Sequence, residues 1–581
     1  MLAIACSCTP DRDEPIIATA AIQRAELGPT GCAVGVPAAA CVQPGLRVCH
    51  DGDRDRVGEW RYAVITSPFD PTQDLGADVL DALWQDGGLA ASAETQAALS
   101  QVLGASANVA PLAGRPQLDP THRAIVPAHE LTPHWTVLTI DNQHPLGDAP
   151  DQLVVPLCGS PRPAVRNIDP ARVTTLVMSG TTALTRRIAD RMDKRGTSYP
   201  AREVKPWFVA ADLVHVSNEV SFVRRCDPST GKTERTFCSR EEYIELLEAI
   251  DADIVELTGT HLHDYGRKWI DHTIDMYEER GWAWFGGGRT QIEATEPRIV
   301  EHAGNYLAFL GCNAVGTRLH SLTAGAGIAG CDWARMEWQI ADLRRRGFVP
   351  IVSIQHDEVY THRPPFVLAR DLRRMAAAGA AFVMGSQAHC AHPWEMHHNA
   401  YVHYGPGNLF FDQRRSGTLE ATTNKLYIHA GQLLTVEHLY TTYEHGTPRQ
   451  LDDAERAAFL AQLADAASQM TGAQPDAAPI FSADTRVRPD SFVVAHGRMQ
   501  LLDVTVPEQF DPDTKYPLIV DLAGTIEPPA NAFVIHPRGK LLASYREIVT
   551  FATAKYPIDP ASVAGEPLQA HKKRKRRIRT S

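Results

Sequence analysis

The residues best suited to chemistry in this chain sit where an apolar run gives out, in Ile254-Val255-Glu256-Leu257-Thr258-Gly259-Thr260-His261-Leu262-His263-Asp264-Tyr265-Gly266. His261 brings an imidazole and Asp264 a carboxylate, side chains that bind metals and move protons. The run from Ile254 reads as a buried strand, and Trp269, Ile270, Thr273, Ile274 and Tyr277 recur at helical spacing before Gly281. His261 and Asp264 therefore belong to a strand-to-helix loop. In open α/β sheets the carboxyl ends of strands carry the ligands, which favours a functional pair here. The competing reading makes Asp264 only the cap of the following helix.

The same grammar recurs. Phe348 to Ile354 runs into Gln355-His356-Asp357-Glu358-Val359-Tyr360, and Ala381 to Met384 runs into Gly385-Ser386-Gln387-Ala388-His389. Ala211 to Val216 runs into Ser217-Asn218-Glu219, and Tyr404-Gly405-Pro406-Gly407-Asn408 follows the last apolar run. Five strand ends at one pole would gather His, Glu, Asp, Gln and Asn. Imidazole nitrogen with carboxylate and amide oxygen suits Zn, Mn or Fe, used to polarise a substrate or activate water.

Taken in order, SNEVSF, ELTGTHLHDYG, GWAWFGGGR, SIQHDEVY, GSQAHCAHPWE and GPGNLFFDQ resemble the landmarks of the CapA (PGA_cap) family of poly-γ-glutamate capsule proteins, from about Val173 to Gln413. The resemblance implies an α/β fold, a four-layer αββα metallophosphatase-like sandwich, with a site for one or two divalent metals among the loops between the sheets. It also implies an extracytoplasmic, membrane-associated role in making, exporting or releasing an anionic polyglutamate capsule.

Departures from the family pattern thin the ligand set. Thr181 stands in the place of a metal-binding Asp, Thr260 replaces an Asn, Gln355 replaces a His, and Ser386 and Gln387 replace a His pair. Glu219, His261, Asp264, His389 and Glu358 remain as good ligand types, with Gln355 an amide candidate. By ligand count the set suits one divalent ion rather than two. The expected roles are a metal held by Glu219, His261 and His389, with Asp264 orienting His261 or serving as a base. Asn408, Arg289 and Glu395 are candidate substrate-binding residues, Glu395 because the family carries an acid there. Gly286-Gly287-Gly288-Arg289 reads either as a phosphate cradle or as a tight turn, the turn being the commoner meaning of a lone Gly run.

These readings converge on a degenerate metal-dependent hydrolase acting on poly-γ-glutamate or a related envelope polymer, alongside the capsule machinery. The alternative is a non-catalytic scaffold or binding component that kept the fold and lost the metals. The 57 basic and 69 acidic residues give a formal charge of −12, which argues against nucleic acid as the main partner.

The wider organisation divides into five parts. Residues 1–54 form a Cys-rich leader whose Met1-Leu2-Ala3-Ile4-Ala5-Cys6 resembles the tail of a lipoprotein signal, without its basic region or full apolar core. A start placed downstream of the true one accounts for that; otherwise the chain is cytosolic and Cys6 has no role. Residues 55–166, with a strand at Tyr62–Ile65 and a helix at 77–84, read as a small α/β domain. The CapA-like domain spans 171–440. A C-terminal extension over 441–570 starts with a helix at 452–470 and turns strand-rich, as at Phe492-Val493-Val494. No G-x-S-x-G elbow follows, so a serine esterase is disfavoured. The basic run 571–581 reads as a solvated tail, or less commonly as an anionic-lipid or polymer contact. Cys226 and Cys238 bracket a turn-rich tip and form a candidate disulfide, and eleven cysteines leave at least one unpaired. No stretch of eighteen apolar residues encodes a membrane span.

Overall fold

Alternation along the central strands decides the architecture. In the first sheet Leu176, Met178, Leu213, Ile254 and Phe285 point to one face, and the intervening Val177, Val214, Val216, Val255 and Trp284 to the other. Successive side chains of a strand point to opposite faces, so a sheet apolar on both faces is covered on both. The computed structural model describes residues 46–470 apart from short gaps (51, 107, 113–122, 148–151, 160–164, 229–235, 316–324, 414, 416 and 445), with Pro37, Ala40 and four short strands beyond residue 484. The expectations for Cys6, for most of the Cys-rich leader and for the basic tail lie outside the described residues.

The strands that build the site are β1 (Val173–Thr182), β2 (Leu213–Asn218), β3 (Ile254–Glu256), β4 (Ala283–Phe285), β5 (Arg298–His302), β6 (Asn305–Asn313) and β7 (Val349–Gln355). After them come β8 (Phe382–Ser386), β9 (Trp394–His397), β10 (Ala400–His403), β11 (Asn408–Phe410), β12 (Glu420–His429), β13 (Gln432–Glu444) and β14 (Thr447–Gln450). The first sheet runs β4-β3-β2-β1-β12-β13-β14 with β11 beside β1; the second runs β5-β6-β7-β8-β10-β9. Strands β1 to β4 pair in parallel, as do β6, β7, β8 and β10, so their carboxyl ends share one edge.

Helix α1 (Arg186–Arg195) and helix α2 (Arg267–Glu278) cover the outer face of the first sheet. In α2, Ile270, Thr273, Ile274 and Tyr277 are buried as their spacing predicts, and each of the two isoleucines contributes roughly 1.5–3 kcal/mol by burial. Helices α3 (Trp333–Arg345) and α4 (Phe366–Ala377) cover Ala308, Leu310, Val352, Ile354 and Val383 on the second sheet. Between the sheets, Leu176, Met178, Ile254 and Phe285 meet Leu307, Phe309, Ile351, Phe382 and Met384. The result is a four-layer αββα sandwich. Helix α5 (Asp453–Ser468), started by a capping box of Asp452 and Glu455, sends Phe459, Leu460 and Leu463 into that same inner core.

The segment before the sandwich is richer in strand than the sequence reading predicts, a nine-stranded sheet carrying helices at Ala77–Asp86 and Ala93–Leu99. It packs through Ala63, Ile65, Val126 and Val137 onto Tyr427 and Leu434 of the first sheet. As a separate unit, residues beyond 473 include two hairpins, Thr485–Arg488 with Val504–Pro507 and Phe492–Ala495 with Arg498–Leu501. No helix among the described residues is long and apolar enough to cross a membrane.

Candidate functional site

The β3–α2 loop is held close to the sheet edge by its smallest residue. A Cβ on Gly259 would lie 2.5 Å from the Glu219 Cα, so only glycine lets the two loops approach this closely. Leu262 anchors the far side of the loop in the helix-covered core. Between these points His261 Nδ1 sits 2.7 Å from Asp264 Oδ2, which also accepts the Phe237 backbone N–H at 2.7 Å. Helix α2 takes Gly266 as its N-cap with no side-chain cap, so Asp264 serves the imidazole and not the helix. Burial pushes the His261 pKa down, but the Asp264 hydrogen bond and the negative charges of Glu219, Asp264 and Glu358 outweigh it and leave it raised.

Glu219 follows β2 and is buried. Its Oε1 accepts from Gln355 Nε2 at 3.0 Å and from Thr260 Oγ1 at 3.3 Å, while Oε2 is buried without a hydrogen-bond partner. Gln355, at the end of β7, also donates to Gln387 Oε1, so a chain of neutral amides crosses the strand ends. His389 lies on the loop after β8, where Gln387 and His389 itself adopt left-handed backbone (φ 73° and 45°), a conformation held against local preference by the surrounding loop. Its Nδ1 is 2.8 Å from Asn408 Oδ1, and its Nε2 is 3.7 Å from Glu358 Oε1. Contact with His389 and the Tyr360 hydroxyl, with the His261 charge adding to it, pulls the Glu358 carboxyl down to about 2 against its partial burial.

Glu219, His261, Asp264, Gln355, Glu358 and His389 are thus joined into one cluster at the carboxyl edge. Asn408 stands behind His389, bonding its ring and its carbonyl oxygen, which makes it an orienting residue. Two candidates lie elsewhere. Arg289 is engaged by Asp275, Glu278 and Glu293, and the glycines before it are packing positions where a Cβ on Gly287 would meet Leu257 at 2.7 Å. Glu395 forms a forked pair with Arg373 and accepts from the Tyr404 hydroxyl. Cys226 and Cys238 are bonded, with Cα atoms 6.1 Å apart.

Sequence reasoning passed over the layer just beneath this cluster. His215 and Glu256 project between the sheets, both fully buried, with 3.6 Å between Nε2 and Oε2. Glu256 accepts from Ser353 Oγ at 2.7 Å, from Ser386 Oγ at 3.1 Å and from Thr258. Burial opposes its ionisation, but His215 and these hydroxyls hold its pKa below the ordinary carboxyl value. The signal was available: on β2 and β3 the positions two on from inward Leu213 and Ile254 are His215 and Glu256.

Residues 175–413 match the family model described as bacterial capsule synthesis protein PGA_cap. Over this segment, less than half of the chain, the sequence is similar to the PGA_cap family. It is similar to the capsule biosynthesis protein CapA of Bacillus anthracis, 20% identical over 290 residues, the match covering 48% of this chain and 70% of that protein. Among solved structures, a 5'-nucleotidase precursor from Thermus thermophilus is 14% identical with a TM-score of 0.28, the match covering 52% of this chain and 59% of that one. The NAD nucleotidase NadN of Haemophilus influenzae is 10% identical with a TM-score of 0.27, the match covering 48% of this chain and 50% of that one. This chain spans less than two thirds of either nucleotidase, and superpositions this loose carry no argument; the sandwich rests on its own strand order.

Set against the metal expected of the PGA_cap segment, the donor chemistry fits one ion and not two. His261 is pinned through Nδ1, which fixes the ring and leaves Nε2 for a ligand; His389 is pinned through Nδ1 with Nε2 facing Glu358 at 3.7 Å, so an ion there would take the place of that contact, and Glu219 keeps an orphaned oxygen. The donor atoms of these three do not all lie within 4.8 Å of one another, so an ion would have to draw them inward. A second ion lacks donors where Thr181, Gln355, Ser386 and Gln387 stand. The carboxylates of Asp53 and Asp55 do cluster with Cys158, but that sulfur is bonded to Cys49 and both acids pair with Arg47.

Proposed function

We propose that the PGA_cap segment is a hydrolase-type site acting on an anionic envelope polymer of the poly-γ-glutamate kind, outside the cytoplasm and beside the capsule machinery. One divalent ion, Mn, Zn or Fe, is held by Glu219, His261 and His389. The observation that carries this reading is the His261–Asp264 pair at 2.7 Å beside the unpartnered oxygen of Glu219. When bound, the ion supplies polarisation of a scissile carbonyl or phosphoryl oxygen. Asp264 holds the His261 ring through Nδ1 so that Nε2 would face the ion, or serves as the base. Glu358 stays ionised through the neutral range and holds His389, whose other nitrogen is set by Asn408. Three disulfides, Cys49–Cys158, Cys226–Cys238 and Cys312–Cys331, support an oxidising compartment.

A second reading, a scaffold that retains polymer binding without turnover, draws on the amide chain through Gln355 and Gln387 at the centre of the site. Metal analysis of the purified full chain separates the two. Stoichiometric metal that is lost together with polymer hydrolysis in His261→Ala supports the enzyme. Protein that takes up no metal at millimolar Mn or Zn, and whose polymer binding survives His261→Ala, leaves the scaffold.

A further inference from the structure

Behind the two site histidines lies an arginine that neither reading uses. The Arg186 guanidinium sits 5.0 Å from the Phe237 ring centre and 4.6 Å from that of Phe411. Phe237 meets His261 edge-on at 4.5 Å, and Phe411 stacks on His389 at 4.9 Å with 20° between planes. The order is therefore His261, Phe237, Arg186, Phe411, His389. Both phenylalanines are buried, in a small cluster with Ala183 and Val220 that is separate from the main cores. Phe237 is tied to the His261 side a second time, through its backbone N–H on Asp264. On the other side Asp412, next to Phe411, forms an ion pair with Arg186 at 2.5 Å and accepts from the Arg187 backbone N–H. Arg186 adopts left-handed backbone, φ 48°, at the first position of α1, a conformation that an L-residue avoids unless its surroundings impose it.

We propose that Arg186 is a positioning residue, holding His261 and His389 in one frame through the two aromatic rings that its guanidinium contacts. The inference rests on the reading that both imidazoles serve the site. A planar guanidinium presents flat, delocalised charge to an aromatic face, which fixes ring orientation as well as distance. Lysine keeps the charge that pairs with Asp412 but has no plate to lay on the rings. The plainer alternative, that Arg186 only balances Asp412 at the start of α1, predicts no effect on the histidine rings.

The test is NMR of the full chain carrying ring-labelled histidine, with the two signals assigned by His261→Gln and His389→Gln. Arg186→Gln is expected to shift the His261 and His389 signals together while the signal of His302, which contacts Thr174 at the opposite end of β1, stays in place. Arg186→Lys is expected to shift both by a smaller amount. Phe237→Leu should shift His261 alone, and Phe411→Leu should shift His389 alone. Should Arg186→Gln fail to fold, Arg186→Lys carries the test. Folded variants at Arg186 in which either histidine signal stays unmoved overturn the proposal. The measurement reads ring placement and not turnover, so unmoved rings with hydrolysis intact reject the clamp and leave the proposed function standing. Moved rings in a protein without hydrolysis support the clamp and count against that function.

Discussion

Removing the Glu256 carboxylate should be among the most damaging single changes available in the sandwich, although Glu256 touches no surface. Glu256→Ala takes the acceptor from three hydroxyls and leaves His215 facing a void. The losses are unequal. Thr258 and Ser386 each have Gln355 Oε1 within reach, at 3.4 Å and 3.3 Å, and can turn to it. Among the described residues Ser353 has no second acceptor, and neither His215 nitrogen has a hydrogen-bond partner. Two orphaned buried groups at about 1–3 kcal/mol each give a loss of about 2–6 kcal/mol, a range that contains the roughly 3–5 kcal/mol expected when one partner of a buried pair is deleted. Glu256→Gln keeps one strong acceptor and offers an amide to hydroxyls that can rotate to accept it, so it should cost only about 1–2 kcal/mol. Urea unfolding followed by circular dichroism reads both numbers, provided the slope with denaturant is unchanged. The pH dependence has a definite sign. A carboxyl whose pKa is depressed on folding adds stability above its unfolded value of 4.5 that is lost as pH falls, and Glu256→Gln should remove that part of the acid limb. A cost below about 1 kcal/mol for Glu256→Ala, or equal costs for the two variants, would refute the inter-sheet network as a stabilising unit.

Other expectations follow from the same geometry. Asp264→Asn removes the strongest support of the His261 proton, so the His261 titration midpoint measured by NMR in metal-free protein should fall; a midpoint that holds or rises contradicts the assigned hydrogen bond. Because the His261 pKa is raised on folding, its contribution to stability is present below about pH 6.5 and fades as pH rises through the folded value, a slope Asp264→Asn should flatten. Glu358, depressed to about 2, should lend stability that disappears between about pH 4.5 and 2, and Glu358→Gln should erase that segment of the curve. Opening the Cys49–Cys158 bridge, which spans 109 residues, should cost about 4–5 kcal/mol by chain entropy, against about 3 kcal/mol for Cys226–Cys238 across 12, read by unfolding of Cys→Ser pairs. Thr181→Asp restores a carboxylate at the end of β1 and should raise the metal bound per chain in calorimetric titration with Mn; an unchanged stoichiometry places the missing donor elsewhere.

How much of this was legible in the sequence depends on what each residue's neighbours are. Apolar runs of alternating outward and inward residues, followed by polar strand ends, are local patterns, and they gave β2, β3, β7 and β8 with their loops. The helix from Arg267 and the capped helix after Asp452 were equally local, since spacing and a capping box are written within a dozen residues. Arg289 shows where such reading stops. A glycine run before an arginine looks the same whether the guanidinium faces a phosphate or, as here, three acids of which two lie on α2 and one four residues on. Glu395 and Asn408 were likewise placed by partners from other strands and helices, Arg373 and His389, that no local pattern names. His215 and Glu256 illustrate the opposite failure. Their inward register was readable, but an apolar strand with one polar residue near its end draws the eye to the loop beyond it. Only the second sheet, through Ser353 and Ser386, shows that the Glu256 charge stays inside and is satisfied there. The site is therefore two stacked layers with different physical demands. The loops need freedom to meet a substrate, and the floor, buried and built around a carboxylate, needs every partner it has.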